Sequence, residues 1–475
     1  MNNNINKHLS FLKSALCSEG FHIENTEVIN WIKKRNQNVD VKIKKVKFKD
    51  LHNWSFTKNY NSLVHESGKF FSIEGIKVET NYGLLSSWEQ PIINQPEIGF
   101  LGFITKEFNG ILHFLVQAKI EPGNINKVQL SPTLQATKSN YSQVHKGKKP
   151  LYLEFFQQRD RCKILLDQLQ SEQGARFLQK RNRNIIIQTD EDIELHEDFN
   201  WLTLGQIKDL IQYDNLVNMD TRTVISAISY GNLQSDSLNF VKSFKEIKIS
   251  EIGDELLFSA LNNKDYHMSN DDIIAWLTEL KCKFDLSVRK ISLAKINDWK
   301  INDYEIFHNE NKFFKVIAAD IKISNREVSN WMQPIVQPAQ DGLIAFVIKK
   351  INNVYHFLVQ AKLESGNFDI LELAPTVQCL TGNYRKTKEG SLPFLNTVLE
   401  ADKNDIIFDT YQSEEGGRFF HEQNRHIILK VDENFDINIP ENYCWITLNQ
   451  LYSFLKHNNY VNIQARSLIS AINFK

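Results

Sequence analysis

The stretch His113-Phe114-Leu115-Val116-Gln117-Ala118-Lys119 returns letter for letter at His356 to Lys362 in a chain of 475 residues. Its sequel returns too: Glu121-Pro122-Gly123-Asn124 is matched by Glu364-Ser365-Gly366-Asn367, and Pro132-Thr133-Leu134-Gln135 by Pro375-Thr376-Val377-Gln378. Further out, Trp31, Trp54, Trp88 and Trp201 pair with Trp276, Trp299, Trp331 and Trp445, and Gln170-Ser171-Glu172-Gln173-Gly174-Ala175-Arg176 with Gln412 to Arg418. A register held over so much chain means two copies of one fold. The division is expected at 1–235 and 236–475, with the linker inside 230–270, where the match is weakest. Within the repeated stretch the residues alternate. A strand of period two sets Phe114, Val116, Ala118 and Ile120 on a core face, and His113, Leu115, Gln117, Lys119 and Glu121 on an opposite face that carries a polar row.

Composition is that of an ordinary soluble globular protein: 42% hydrophobic, 24% charged, with 56 basic side chains against 57 acidic ones. That balance gives no basic footprint for nucleic acid or an anionic membrane. No apolar run has the length of a membrane span, and Lys13 interrupts the apolar part of the amino terminus, so neither a span nor a signal peptide is expected. The five cysteines are scattered without a C-x-x-C pair, which fits a reduced cytoplasmic protein without a structural zinc.

Local signals repeat with the copies. Helices are expected at Glu27–Arg35 and Asp271–Leu280, each followed by an alternating stretch starting at Val41 or Leu286. The lysines of the first stretch suggest an edge strand guarded by charge rather than a phosphate site, because the second copy keeps the alternation and drops several lysines. Pro91 and Pro334 exclude a helix interior around Trp88 and Trp331. Asn109-Gly110 and Asn352-Asn353 read as hairpin turns, and Thr203 with Gln206, like Thr447 with Gln450, has the spacing of a capping box at a helix start. Strands followed by terminal helices in each copy predict an α/β (α+β) fold, mixed sheets flanked by helices.

Walker, dinucleotide, zinc-protease and serine-hydrolase signatures are all missing. What both copies retain is a polar set, and each member has a bland reading beside the functional one. The tryptophans read first as core, and His113 with His356 as satisfied structural histidines. Gln117, Lys119 and Glu121 are balanced between a solvated strand face and a binding row; exposed ion pairs contribute less than about 1 kcal/mol, so stability alone gives weak reason to keep all three twice. The Glu172-to-Arg176 element reads either as a loop salt bridge or as an anion site, the second being favoured since a guanidinium grips phosphate bidentately and glycine permits close approach.

Together, W-x-Q-P-I, H-F-L-V-Q-A-K-x-E-x-G-N, P-T-x-Q-x-x-x-x-N-Y and Q-S-E-x-G-x-R-F in tandem resemble the NDP-hexose 2,3-dehydratase family over nearly the whole chain. The resemblance implies two Nudix-like domains in a homodimer, and elimination of water across C2 and C3 of dTDP-4-keto-6-deoxyglucose. A Nudix box is missing, which disfavours metal-dependent hydrolysis. No cofactor is expected, and the sequence leaves dependence on a divalent metal open. On this reading Lys119, Tyr141 and Glu172 carry the chemistry. Substrate is bound by Trp88, Gln90, Gln117, Glu121, Asn124, Thr133, Gln135, Asn140, His145, Arg176 and Arg183, the two arginines holding the diphosphate. The second copy repeats the set as Trp331, Gln333, Gln360, Lys362, Glu364, Asn367, Thr376, Gln378, Asn383, Tyr384, Glu414, Arg418 and Arg425. The first is preferred because it adds His145. The expected partners are a dTDP-linked sugar and a downstream 3-ketoreductase or aminotransferase. Alternative readings are a nucleotide-sugar binding protein without chemistry and a Nudix-type hydrolase.

Overall fold

A computed structural model describes residues 2–138, 149–158, 161–231, 249–324, 328–380 and 392–475. Residues 232–248 of the expected linker, and the segments holding Asn140, Tyr141, His145, Asn383 and Tyr384, lie outside the described residues.

The repeated stretch is the middle of a long strand in each copy, Ile111–Ile120 and Val354–Lys362. In the first copy the main sheet runs Lys163–Ser171, Arg181–Gln188, Gly99–Phe108, Ile111–Ile120, Phe199–Thr203. It is mixed: Arg181–Gln188 lies parallel to Gly99–Phe108, and the other neighbours are antiparallel. The second copy repeats this arrangement. The hairpin turns are where the sequence puts them, with positive φ at Asn109 (50°), Gly110 (78°), Asn352 (51°) and Asn353 (62°), the mirror-image geometry that suits strand twist. Both capping boxes form, and start the helices Leu204–Ile211 and Leu448–Phe454.

The alternation is only half right about surroundings. Phe114, Val116, Ala118 and Ile120 enter the large core as expected, but Leu115 on the opposite face is also fully buried, packed with Trp201, Phe155 and Phe156. Layers cover both faces of the sheet, so the polar row emerges only at its Lys119 and Glu121 end. The His113 ring is 2% exposed, accepts the Phe21 N–H at Nε2 (3.1 Å) and donates from Nδ1 to the Ile111 carbonyl (2.9 Å). His356 repeats this with His267 and Val354. Both histidines are structural.

Each copy has a second, smaller sheet, and here the copies trade strands. Val41–Val46 of the first copy pairs along Phe314–Ile323 of the second, while Leu286–Ile291 of the second pairs along Ser72–Thr80 of the first. Both exchanged strands are sheet edges, as the lysine pattern suggested, but each edge belongs to the other copy. Two turns lock the exchange. The Gly123 N–H donates to the Gly416 carbonyl (2.7 Å) and its carbonyl accepts from His421 N–H (2.8 Å); Gly366 does the same with Gly174 and Gln179 at the same distances.

The last helix, Ile463–Ala471, is fastened by a side chain from the other copy. Lys208 is 2% exposed and donates to the carbonyls of Ser470 (3.0 Å) and Ile472 (2.8 Å). Burial, aided by nearby Lys475, drives its pKa down to about 7. A depressed lysine pKa means that the unfolded chain binds the extra proton between that value and the ordinary 10.5, so this contribution to stability is lost as pH falls across that window. Lys208→Met lacks the term. Its stability relative to wild type is expected to improve as pH is lowered from 10 to 7, by up to about 1.4 kcal/mol per unit, read from urea melts at stepped pH.

Candidate active site

A cleft of about 630 Å³ opens at the Lys119 end of the first copy's sheet, and residues of both copies line it. From the first copy come Lys119, Glu121, Gln135, Lys180, Asn182 and Asp220 on one wall, and Trp54, His65, Phe70 and Phe71 at the aromatic end. The second copy adds Glu415, Gly417 and Arg418 from its Q-S-E-E-G-G-R loop, with Trp331, Gln333, Asp320 and Lys322.

Several of these side chains are held in place by others. The Glu121 Oε1 accepts from Gln135 Nε2 (2.7 Å), and the Lys119 ammonium donates to the Gln135 backbone carbonyl (3.1 Å). Asn182 donates to Glu172 Oε1 (2.7 Å) and receives the Gly99 N–H (3.1 Å). Trp331 donates to Gln333 (3.0 Å), which donates in turn to the Gly417 carbonyl (2.8 Å). The Arg418 guanidinium lies 4.2 Å from the Phe71 ring centre and bonds Gln95 (3.2 Å), while Lys180 donates to the Glu97 carbonyl. Asp220 sits at the start of the helix Met219–Ser226.

The carboxyls crowd one another in a buried region. Burial first, then the charges of Glu415, Glu121 and Glu172, push Asp220 well above the usual carboxyl range. Burial lifts Glu415 to about 7 against the pull of Arg418, and burial lifts Glu172 against Arg466 and Lys180. Lys180 is lowered, mainly by burial. Such a cluster shares protons among its members, so that near neutrality it can hold an ionised carboxylate and a protonated carboxyl side by side. That is the equipment for moving one proton off carbon and another onto a leaving oxygen.

The sequence set divides on this geometry. Lys119, Glu121 and Gln135 line the cleft; Glu172 stands behind Asn182. Trp331, Gln333 and Arg418, expected in a second-copy site, serve the first cleft. Conversely, Trp88, Gln90 and Arg176 belong to the counterpart constellation: Gln90 donates to the Ala175 carbonyl (3.0 Å), and Arg176 lies 4.3 Å from the Phe314 ring centre and 3.8 Å from Glu422. The loop was assigned to its own copy; Glu172 stays there, while Gln173 and Arg176 reach residues of the other copy. Gln117 is not among the residues lining the cleft. Thr133 is buried among strands, donating to the Leu115 carbonyl and accepting from Ile104 N–H (3.0 Å); Thr376 repeats this with Leu358 and Val347. Gln360 donates to Pro375 and Thr376 carbonyls. Asn124 and Asn367 pack against Gly416 and Gly174 in the interlocked turns. Arg183 and Arg425 spend their guanidinium groups on Asp167 (2.6 and 2.5 Å) and Asp409 (2.8 and 2.5 Å), so the structure brings neither to the cleft. Lys362, Glu364, Gln378 and Glu414 sit in the second copy at positions matching Lys119, Glu121, Gln135 and Glu172, with Gln378 again bonded to Glu364 (2.8 Å). Among the described residues no group of three or more His, Cys, Asp and Glu side chains could hold a metal ion.

Asp220, Lys180 and Glu415 were missed because the sequence reading collected what both copies share. Where the first cleft has these three, the matching positions carry Gln464, Glu422 and Gln173. The signal was in the differences.

Known proteins match this chain over nearly its full length. The family model of the NDP-hexose 2,3-dehydratases matches residues 25–228 and again 270–472. A Saccharopolyspora spinosa protein named dTDP-4-dehydro-6-deoxy-alpha-D-glucopyranose 2,3-dehydratase is 41% identical over 464 residues, 97% of this chain and 94% of its own. Proteins of the same name from Amycolatopsis orientalis and Streptomyces violaceoruber are 40% and 38% identical, covering 97% and 95% of this chain and 92% and 96% of theirs.

Proposed function

From the premise that the chain belongs to the NDP-hexose 2,3-dehydratase family, we infer that it is a hydro-lyase that removes water across C2 and C3 of dTDP-4-keto-6-deoxyglucose, and that it does so in the first cleft. The C4 ketone acidifies the C3 proton. Loss of that proton gives an enolate, the C2 hydroxyl leaves as water once protonated, and the remaining enol settles as a 3,4-diketo-2,6-dideoxy sugar. The observation that carries the choice of cleft is the meeting of Asp220, Glu415, Lys180 and Lys119, of which only Lys119 keeps its identity in the counterpart set. Glu415 and Asp220 are the proton-transfer pair, with Glu172 biasing their charge. The Lys119 ammonium meets the developing enolate oxygen as a positioned charge. Arg418 faces the diphosphate, and the tryptophan and histidine end takes the nucleoside.

Each copy's mixed sheet with helices on both faces supports a Nudix-like kinship, and a cytoplasmic homodimer belongs to the same proposal. Light scattering tests the dimer: a mass near twice 55.3 kDa is expected. For activity, the pure protein is incubated with the substrate and a 3-ketoreductase that traps the diketone. Binding without loss of water would leave only a binding protein, and magnesium-dependent release of nucleoside monophosphate would make it a hydrolase. Lys119→Ala is expected to lower kcat by about 10²-fold or more, and Lys362→Ala to leave turnover near wild type; the reverse result would move the reaction to the second copy.

A further inference from the structure

Two arginines, Arg222 and Arg466, occupy matching positions at the junction of the copies, and neither has any exposure. Arg466 donates only to neutral acceptors: Ser171 and Val461 carbonyls, Gln170 Oε1 (3.2 Å) and Thr223 Oγ1 (2.8 Å). Among the described residues no carboxylate touches it, and its charge is balanced at a distance by Glu172 and Glu372. Glu372, 1% exposed, accepts the Ser171 hydroxyl at Oε2 (2.9 Å), while its Oε1 has no partner among the described residues. At the matching place the first copy carries Gln129, whose Oε1 accepts the Ser413 hydroxyl (3.0 Å). The same socket therefore takes a neutral amide in one copy and a carboxyl in the other.

We infer that Glu372 and Arg466, both from the second copy, are positioning residues for the first cleft: the buried guanidinium is shared between Glu172 and Glu372, and Glu372 sets how much of its positive charge reaches the carboxyl cluster. This rests on the assignment of the reaction to that cleft. Four groups bear on Glu372: Ser171 and Arg466, which favour its charge, Glu364, which opposes it, and Lys281 on the helix Asn270–Lys283, which favours it. Burial outweighs them and lifts it to about 7. Below that pH Glu372 is neutral and Arg466 acts on Glu172 undivided. Above it the new negative charge cancels part of the guanidinium, which keeps the cluster's remaining acid protonated into alkaline solution.

The test is the pH profile of kcat/KM in the full-length enzyme. Glu372→Gln copies the residue that the first copy already holds in this socket, and it removes the alkaline charge. Its acid limb is expected to stay, while the alkaline limb moves down by about half a unit to one unit with KM little changed. Ser171→Ala removes the hydroxyl that stabilises the Glu372 carboxylate and is expected to shift the same limb in the same direction. A purely structural role would lower the melting temperature and leave both limbs in place, and an unmoved alkaline limb in either variant overturns the inference. Glu415→Gln separates the two levels. If it is inactive while the limbs stay fixed, this inference fails and the cleft assignment stands; if it is fully active, the assignment itself fails.

Discussion

Glu415→Gln is expected to lower kcat by about 10³-fold, within the 10²–10⁴ that one positioned acid or base supplies, while KM changes little. The amide keeps the size and hydrogen-bonding shape of the carboxyl but cannot carry a proton between substrate atoms. Glu415 reaches the cleft from the second copy, beside Arg418 and within the influence of Lys180, and its lifted pKa lets it act at neutral pH. On the proposed assignment Asp220→Asn should fall as far, because Asp220 and Glu415 act there as one pair, and the double variant should be little worse than either alone. Glu422→Gln, in the counterpart set, should keep kcat within about twofold. Initial rates with the diketone trapped as it forms measure all four. Wild-type turnover in Glu415→Gln would sink the assignment.

The largest expected loss of stability comes from Gly123→Ala. A methyl group there would lie 1.6 Å from the Phe419 carbonyl oxygen and 2.8 Å from that of Gly416. These are backbone atoms, so no side chain can swing aside. The turn would have to withdraw, giving up the hydrogen bonds to Gly416 and from His421. A cost of about 3 kcal/mol or more follows, at or beyond the usual range for overpacking. Gly366→Ala meets Phe177 at 1.7 Å and should behave alike. Gly68→Ala is the control: φ is 62° and nothing lies within 4 Å, so only the left-handed backbone term of about 1 kcal/mol applies. Thermal melts decide it; equal losses at Gly68 and Gly123 would mean that the interlock contributes nothing.

Much of this fold was legible because its signals are local. The Asn109-Gly110 turn, the capping boxes and the long strands follow from residues a few positions apart. The exchange of edge strands was not legible, since the alternation from Val41 or Leu286 states that a strand exists and leaves its partner open. That one gap moved Arg176 and Arg418 to opposite clefts. Gly174 and Gly416, which the sequence suggested for a close approach to phosphate, do make a close approach, to Asn367 with Glu364 and to Asn124 with Glu121 of the other copy. Within the site, retention in both copies marked the scaffold, as Thr133 and His113 show. Asp220, Lys180 and Glu415 stand where the copies disagree, and no rule of spacing could gather residues that meet only after the chain has crossed over.

The crossed strands also bear on origins. Two copies of an ancestral repeat could have made the same exchange as separate chains, each lending its edge strand to the other's sheet. Gene fusion then turned a symmetric partnership into one polypeptide. Once the halves were encoded separately within it, each was free to change without its twin, and the two copies now differ at Asp220 against Gln464, Lys180 against Glu422, and Gln173 against Glu415.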